Sequence, residues 1–167
     1  FLVVTPNRVM TNFKSQIEIH SYLTSTIIQG TSRVRRATLK MRAFDVYIIN
    51  YDILHSMRDD LIRFGFDLVV FDECHYLKSY KSRRTVSALG IVEAKLIGGN
   101  DPVKDIIKAI PKRIGMTGTG ISNSRVDSFS QYQVIDPSKF GTNIWTFKSR
   151  YVVYKDVFIG NRKIRKE

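Results

Sequence analysis

Hydrophobic positions along this chain fall into short unbroken runs that alternate with stretches of helical spacing. Residues 1–4 are apolar and β-branched, and Thr5, Pro6 and Asn7 stop the run. Val9, Phe13 and Ile17 then recur every fourth residue between Lys14, Gln16 and Glu18, which predicts a helix with one apolar face. Residues 26–29 predict a short strand ended by Gly30, and residues 32–41 a helix rich in Arg33, Arg35, Arg36 and Lys40. Residues 45–50 predict a buried strand. From Asn50, Tyr51 and Asp52 a helix is expected to about Phe64, striped by Ile53, Leu54, Met57, Leu61 and Ile62.

The next run, Leu68, Val69, Val70 and Phe71, has no polar break and ends on two carboxylates, Asp72 and Glu73. Such a run predicts a strand buried on both faces, in the middle of a parallel sheet. The carboxyl edge of an open α/β sheet is where ligands bind, and an Asp ending such a strand is how nucleotide-hydrolysing enzymes hold magnesium. Neighbours leaving a strand diverge, so Asp72 is free to face a metal while Glu73 faces a water. Further on, residues 85–92 predict a helix, 98–102 a loop and 103–110 a short helix stopped by Pro111. Residues 112–116 return as a strand, and 124–134 as a helix closed by Asp136 and Pro137. Phe140, Trp145, Phe147 and Tyr151 are expected to pack in the core. Alternation around Gly160 and Asn161 predicts a hairpin with a basic end.

Composition narrows the partners. At 167 residues and 43% hydrophobic, the chain is one domain's worth of folded protein. Its net charge of +12 favours polyanions, with nucleic acid ahead of an anionic membrane surface. No apolar stretch is long enough to span a membrane. The single Cys74 forms no internal disulfide, which suits a reducing, intracellular setting. Cys74 beside His75 does not read as a nucleophilic dyad, and Cys74 with His20, His55 and His75 lacks zinc-ligand spacing. The basic segment 32–41 leaves two readings open, a phosphate contact or a solvated outer face.

Two blocks together resemble a known family. Asp72, Glu73, Cys74, His75, Tyr76, Leu77 and Lys78, followed by Thr117, Gly118, Thr119, Gly120, Ile121, Ser122 and Asn123, are similar to the signatures of superfamily 2 helicases, specifically the Swi/Snf-like DExH-box ATPases. The resemblance covers about residues 1–151. It implies an α/β fold: a three-layer RecA-like lobe of the P-loop NTPase class, with a mainly parallel sheet, helices on both faces and truncation at the N-terminus. Residues 1–151 would be a partial helicase ATP-binding lobe (motifs Ia to III), and 152–167 a basic extension leading toward a second lobe.

The same resemblance implies roles and ligands. Glu73 and Asp72 are the expected catalytic acids, Asp72 holding Mg2+ through a water. His75, Thr117, Gly118 and Thr119 would couple the nucleotide to movement, with Gly118 allowing close backbone approach. Thr5, Pro6, Asn7, Arg8, Asn50, Tyr51, Lys78 and Asn123 would face nucleic acid, although a solvated turn is the alternative at 5–8. ATP and Mg2+ are the expected cofactors and duplex DNA the expected partner, with no membrane partner and a monomeric chain. The function implied is an ATP-dependent DNA helicase or translocase motor. The alternatives are a catalytically dead nucleic-acid-binding scaffold and the motor subunit of an ATP-dependent restriction system. Two departures matter: no G-x-x-x-x-G-K-[ST] occurs in the 167 residues, and Gly120 stands where the family has Pro. The chain opens inside a strand-like run, so it is expected to be an excised piece, inactive as an ATPase by itself.

Overall fold

A computed structural model of the chain describes residues 1–93, 110–119, 125–159 and 162–166. The expected loop at 98–102, the expected helix at 103–110 apart from its last residue, and Gly120, Asn123, Gly160 and Asn161 lie outside those residues. Five strands, β1 (Leu2–Thr5), β2 (Ser25–Ile27), β3 (Val46–Asn50), β4 (Leu68–Asp72) and β5 (Lys112–Met116), pair in parallel in the order β2-β3-β1-β4-β5. Between and after them run α1 (Met10–His20), α2 (Ser32–Lys40), α3 (Leu54–Phe64), α4 (Arg83–Val92), α5 (Arg125–Ile135) and α6 (Ile144–Tyr151). Beyond α6, β6 (Lys155–Ile159) and β7 (Arg162–Lys166) pair antiparallel as a separate hairpin.

Alternate residues of a strand face opposite sides, so each strand contributes to two cores. Leu2, Val4, Tyr47, Ile49, Val69 and Phe71 meet Leu54, Met57 and Leu61 of α3 and Ala88 and Ile91 of α4 on one face. On the other face Val3, Val46, Ile48 and Val70 meet Met10, Phe13 and Ile17 of α1. The result is three layers. Burial of a single large apolar side chain contributes about 1.5–3 kcal/mol, and the first face carries most of these side chains. For that reason β4 is not buried equally on both sides as expected. Val69 and Phe71 are fully buried, whereas Leu68 and Val70 on the less covered face are half-buried.

Local hydrogen bonds explain where element boundaries differ from the sequence pattern. The strand expected at 26–29 begins at Ser25 and ends at Ile27, because Thr24 and Asp45 bond each other's backbone and side chain and start the β2–β3 pairing there. Helix α3 starts at Leu54 rather than at Asn50, since the Asn50 Oδ1 accepts from the N–H of Asp52 and of Ile53 and makes a turn first. Gly65, at φ 77, ends that helix in the left-handed conformation glycine adopts without cost. Helix α4 starts at Arg83, capped by the Ser82 hydroxyl. Residues 144–151 form a helix, α6, capped by Asn143. Residues two positions apart in a helix are turned by roughly 200°, so Phe147 is buried against Phe129 and Phe140 while Trp145 is 74% exposed. Core packing therefore holds for Phe147 and not for Trp145, whose ring carries the Lys148 ammonium at 5.6 Å.

Candidate functional site

The candidate chemistry gathers where β1, β4 and β5 end. After β1 the chain builds β2 and β3 on one side; it then returns to place β4 on the other side of β1. The carboxyl ends of β1 and β4 thus flank a topological switch point, where open α/β sheets bind their ligands. Asp72 is the last residue of β4, half-buried. Glu73 follows at φ 50 and ψ 51, a left-handed conformation uncommon for a residue with a side chain. Cys74–Leu77 then coil into a single 3-10 turn. The reversal at Glu73 sends the two carboxylates apart, Asp72 toward β1 and Glu73 toward β5.

On the β5 side, three polar atoms form a triangle. The Glu73 Oε2 lies 3.0 Å from His75 Nδ1 and 3.4 Å from Thr117 Oγ1, and His75 Nδ1 lies 3.2 Å from Thr117 Oγ1. Parallel pairing sets this up, because Asp72 is in register with Met116 and Thr117 is the next residue along. The side chains of His75 and Glu73 are 31% and 43% exposed, so their pairing adds little stability, about 0–1 kcal/mol. Its consequence is geometric. The Thr117 hydroxyl also accepts from the Thr119 N–H within its own turn at 3.2 Å, and its one proton is shared between two acceptors, Glu73 Oε2 at 3.4 Å and the Thr119 carbonyl at 3.2 Å. Among the described residues no atom lies within 4 Å of where a Cβ at Gly118 would stand. The turn itself is held by the Thr117 side chain.

On the β1 side, the expected nucleic-acid contacts divide. Thr5 is fully buried and its hydroxyl donates to Asp72 Oδ2 at 2.6 Å. Tyr51 is 2% exposed; its hydroxyl donates to the Asp72 carbonyl at 2.7 Å, and its ring stacks on Tyr76 with centroids 5.3 Å apart. Burial first, and nearby acidic groups second, hold the Tyr51 phenol far above its ordinary pKa. Asn50 is 9% exposed and commits Nδ2 to Asn7 Oδ1 at 3.2 Å besides its turn bonds. The polar atoms of Thr5, Asn50 and Tyr51 are thus occupied inside the fold, which corrects their expected outward role. Pro6 is buried, while Asn7, Arg8 and Lys78 are exposed. Asn123 lies outside the described residues.

Pro6, Asn7, Arg8, Tyr51, Asp52, Tyr76 and Arg84 line a cleft of ≈ 270 Å3 at this edge. The Arg84 guanidinium sits over the Tyr76 ring at 5.1 Å and bonds Asp52 through Nε and Nη2 at 3.0 and 2.5 Å. The sequence reading missed Tyr76 and Arg84 as cleft residues. Tyr76 was visible inside the acidic box, but Arg84 lies on a helix whose docking only the fold reveals. In α2, by contrast, Arg35 bonds the Gly30 carbonyl and the Ser56 hydroxyl, and Arg36 pairs with Asp60. These contacts favour a structural use of that basic helix. Cys74 is buried with Sγ 3.5 Å from Gln131 Oε1, and burial pushes its thiol up to about 11.

A magnesium ion fits the acids that are present. Mg2+ takes hard oxygen ligands and is usually held by one or two carboxylates, with water and substrate phosphates filling the remaining positions. Among the described residues no group of three or more His, Cys, Asp or Glu forms an all-protein cage. Asp72, with Oδ2 engaged by Thr5, presents a carboxylate at the sheet edge, a hard oxygen ligand of the kind Mg2+ takes.

The parallel sheet order, the helices on both faces and the acids at the switch point define a RecA-like α/β lobe. The structure superposes on a Sulfolobus solfataricus SWI2/SNF2 ATPase core in complex with dsDNA at a TM-score of 0.68 and 21% identity, covering 90% of this chain and 27% of that one. The SNF2-related domain matches residues 1–99, and the chain belongs to that family. It is 24% identical to the mouse DNA excision repair protein ERCC-6-like 2 over 90% of its own length, and 24% identical to the human DNA repair and recombination protein RAD54B over 97%. It spans 9% and 16% of those two proteins.

Proposed function

We propose that the chain is part of an ATP-dependent motor that moves along duplex DNA. The observation that carries this reading is the triangle of Glu73, His75 and Thr117, built across the ends of β4 and β5 beside Asp72. Hydrolysis of a triphosphate needs a group that orients water and takes its proton, and positive charge to offset that on the phosphoryl group. Glu73 is the proposed base: its carboxylate is partly open to solvent and is held by His75 and Thr117. Bound Mg2+ would supply the neutralising charge, and Asp72 is the residue proposed to hold it. Because His75 and the Thr117 turn bond the same oxygen as the base, a shift of that turn changes the orientation of Glu73. That is the proposed coupling between chemistry and movement.

Family membership supports nucleotide use, and the net charge of +12 together with exposed Arg8, Asn7 and Lys78 supports DNA as the partner. The names of the mouse and human relatives, both DNA repair proteins, point the same way. No phosphate-cradling G-x-x-x-x-G-K-[ST] lies within these 167 residues, so the chain alone is proposed to be inactive. The test is steady-state ATPase activity of the intact protein with and without duplex DNA. Glu73→Gln is expected to lower the DNA-stimulated rate by about 10²-fold or more, the scale of a lost general base, while DNA binding persists. Wild-type-like turnover in Glu73→Gln would remove Glu73 from the role of base.

A further inference from the structure

We infer that Thr5 is a positioning residue of the metal site, its buried hydroxyl fixing the direction in which the Asp72 carboxylate points. The inference rests on the proposed reading of Asp72 as the carboxylate that holds Mg2+. It begins from the sheet order, in which β1 lies directly beside β4 with Val4 in register with Phe71. The next residues along the two strands are Thr5 and Asp72, so they stand side by side where the strands end. At 2.6 Å the bond from Thr5 Oγ1 to Asp72 Oδ2 has the length of a charge-assisted O–H···O⁻ contact.

Three features set this bond apart from a hydroxyl merely finding an acceptor. Thr5 is 0% exposed, so water has no access to replace it. Its β-branched side chain has few χ1 choices, which holds the hydroxyl in place. The same Asp72 is also gripped at its carbonyl by Tyr51, at 2.7 Å. Backbone and carboxylate are therefore both tethered, and with Oδ2 engaged by Thr5, Oδ1 would be the oxygen offered to a cation or its water. Groups that bond a ligating carboxylate orient it and tune its basicity, and their loss typically costs 10–100-fold in metal affinity. Thr5 also ends β1 directly before the turn that exposes Asn7 and Arg8, and Asn7 is tied to Asn50. The carboxylate is thus one hydrogen bond away from the cleft surface.

The experiment is a Mn2+ titration of the intact protein, with a non-hydrolysable ATP analogue, followed by water-proton relaxation. Thr5→Val keeps the shape and deletes the donor, and is expected to raise the Mn2+ midpoint about 10–100-fold. Thr5→Ser keeps the donor and is expected to hold the wild-type midpoint. An unchanged midpoint in Thr5→Val overturns the inference, as does a Thr5→Ser protein as weak as Thr5→Val, which would make the effect one of packing. Asp72→Asn separates the two levels. If it leaves the midpoint unchanged, the reading of Asp72 fails and this inference falls with it; if it abolishes binding while Thr5→Val does not weaken it, Thr5 alone is excluded. Should Thr5→Val melt below the assay temperature, Thr5→Cys, of similar size and a weak donor, is scored on the same midpoint.

Discussion

Glu73 leaves the sheet in a left-handed conformation, and that one backbone choice lets two adjacent acids serve different sides of the site. The sequence shows that the acids are paired; it does not show the φ of 50 that parts them. The same limit explains Thr5, Asn50 and Tyr51. Polar residues at strand ends look solvent-facing in a sequence, because a hydrogen-bond partner 67 or 21 positions away leaves no local signal. Tyr51→Phe tests the outcome at this scale. It keeps the stack on Tyr76 and removes the bond to the Asp72 carbonyl, with an expected loss of about 1 kcal/mol in urea denaturation. Cys74 offers a second check. With its thiol raised to about 11 and its side chain buried, it is expected to alkylate with iodoacetamide at pH 8 far more slowly in the native protein than in urea. Folding favours the protonated thiol, so this contribution is intact below the ordinary cysteine pKa and fades as pH rises toward 11.

At the scale of elements, Arg113 shows how the sheet edge is fastened. From β5 its guanidinium donates to the carbonyls of Ile110, Val134 and Val92, at 3.3, 3.2 and 3.1 Å, joining β5 to the ends of α4 and α5. Burial lowers its pKa. Replacing Arg113 with Met leaves those carbonyls without this donor, at an expected cost of roughly 1–3 kcal/mol for a half-buried site, read as a lower urea midpoint. Asn143→Ala removes the cap that accepts from Trp145 and Thr146, with an expected loss of about 1 kcal/mol. Helix α6 was the element least visible beforehand, because its aromatic residues suggest packing without specifying a periodicity. The clasp of Thr24 and Asp45 explains the shifted β2. Hydrogen bonds from Thr24 hold the Asp45 carboxyl below its usual range, so its stabilisation is present above the ordinary carboxylate pKa and is lost as pH falls.

For the whole molecule, charge is the property that reaches furthest. On the proposed reading, duplex DNA binding by the intact protein weakens steeply with added salt, since each phosphate contact releases counterions. Arg8→Glu at the exposed cleft rim is expected to lower the slope of log K against log salt by about 1 or somewhat more; an unchanged slope in an anisotropy titration would take Arg8 off the DNA surface. Among the described residues no helix is long and apolar enough to cross a membrane. The order of the five parallel strands and of helices α1 to α5, and the position of the acidic box, were legible in the chain itself, because hydrophobic period and turn residues are local properties. Which strands lie side by side, and so which hydroxyl meets which carboxylate, was decided by tertiary structure alone. Register across a parallel sheet joins residues dozens of positions apart, and hydrogen bonds between them follow from the packing of faces that no single segment encodes.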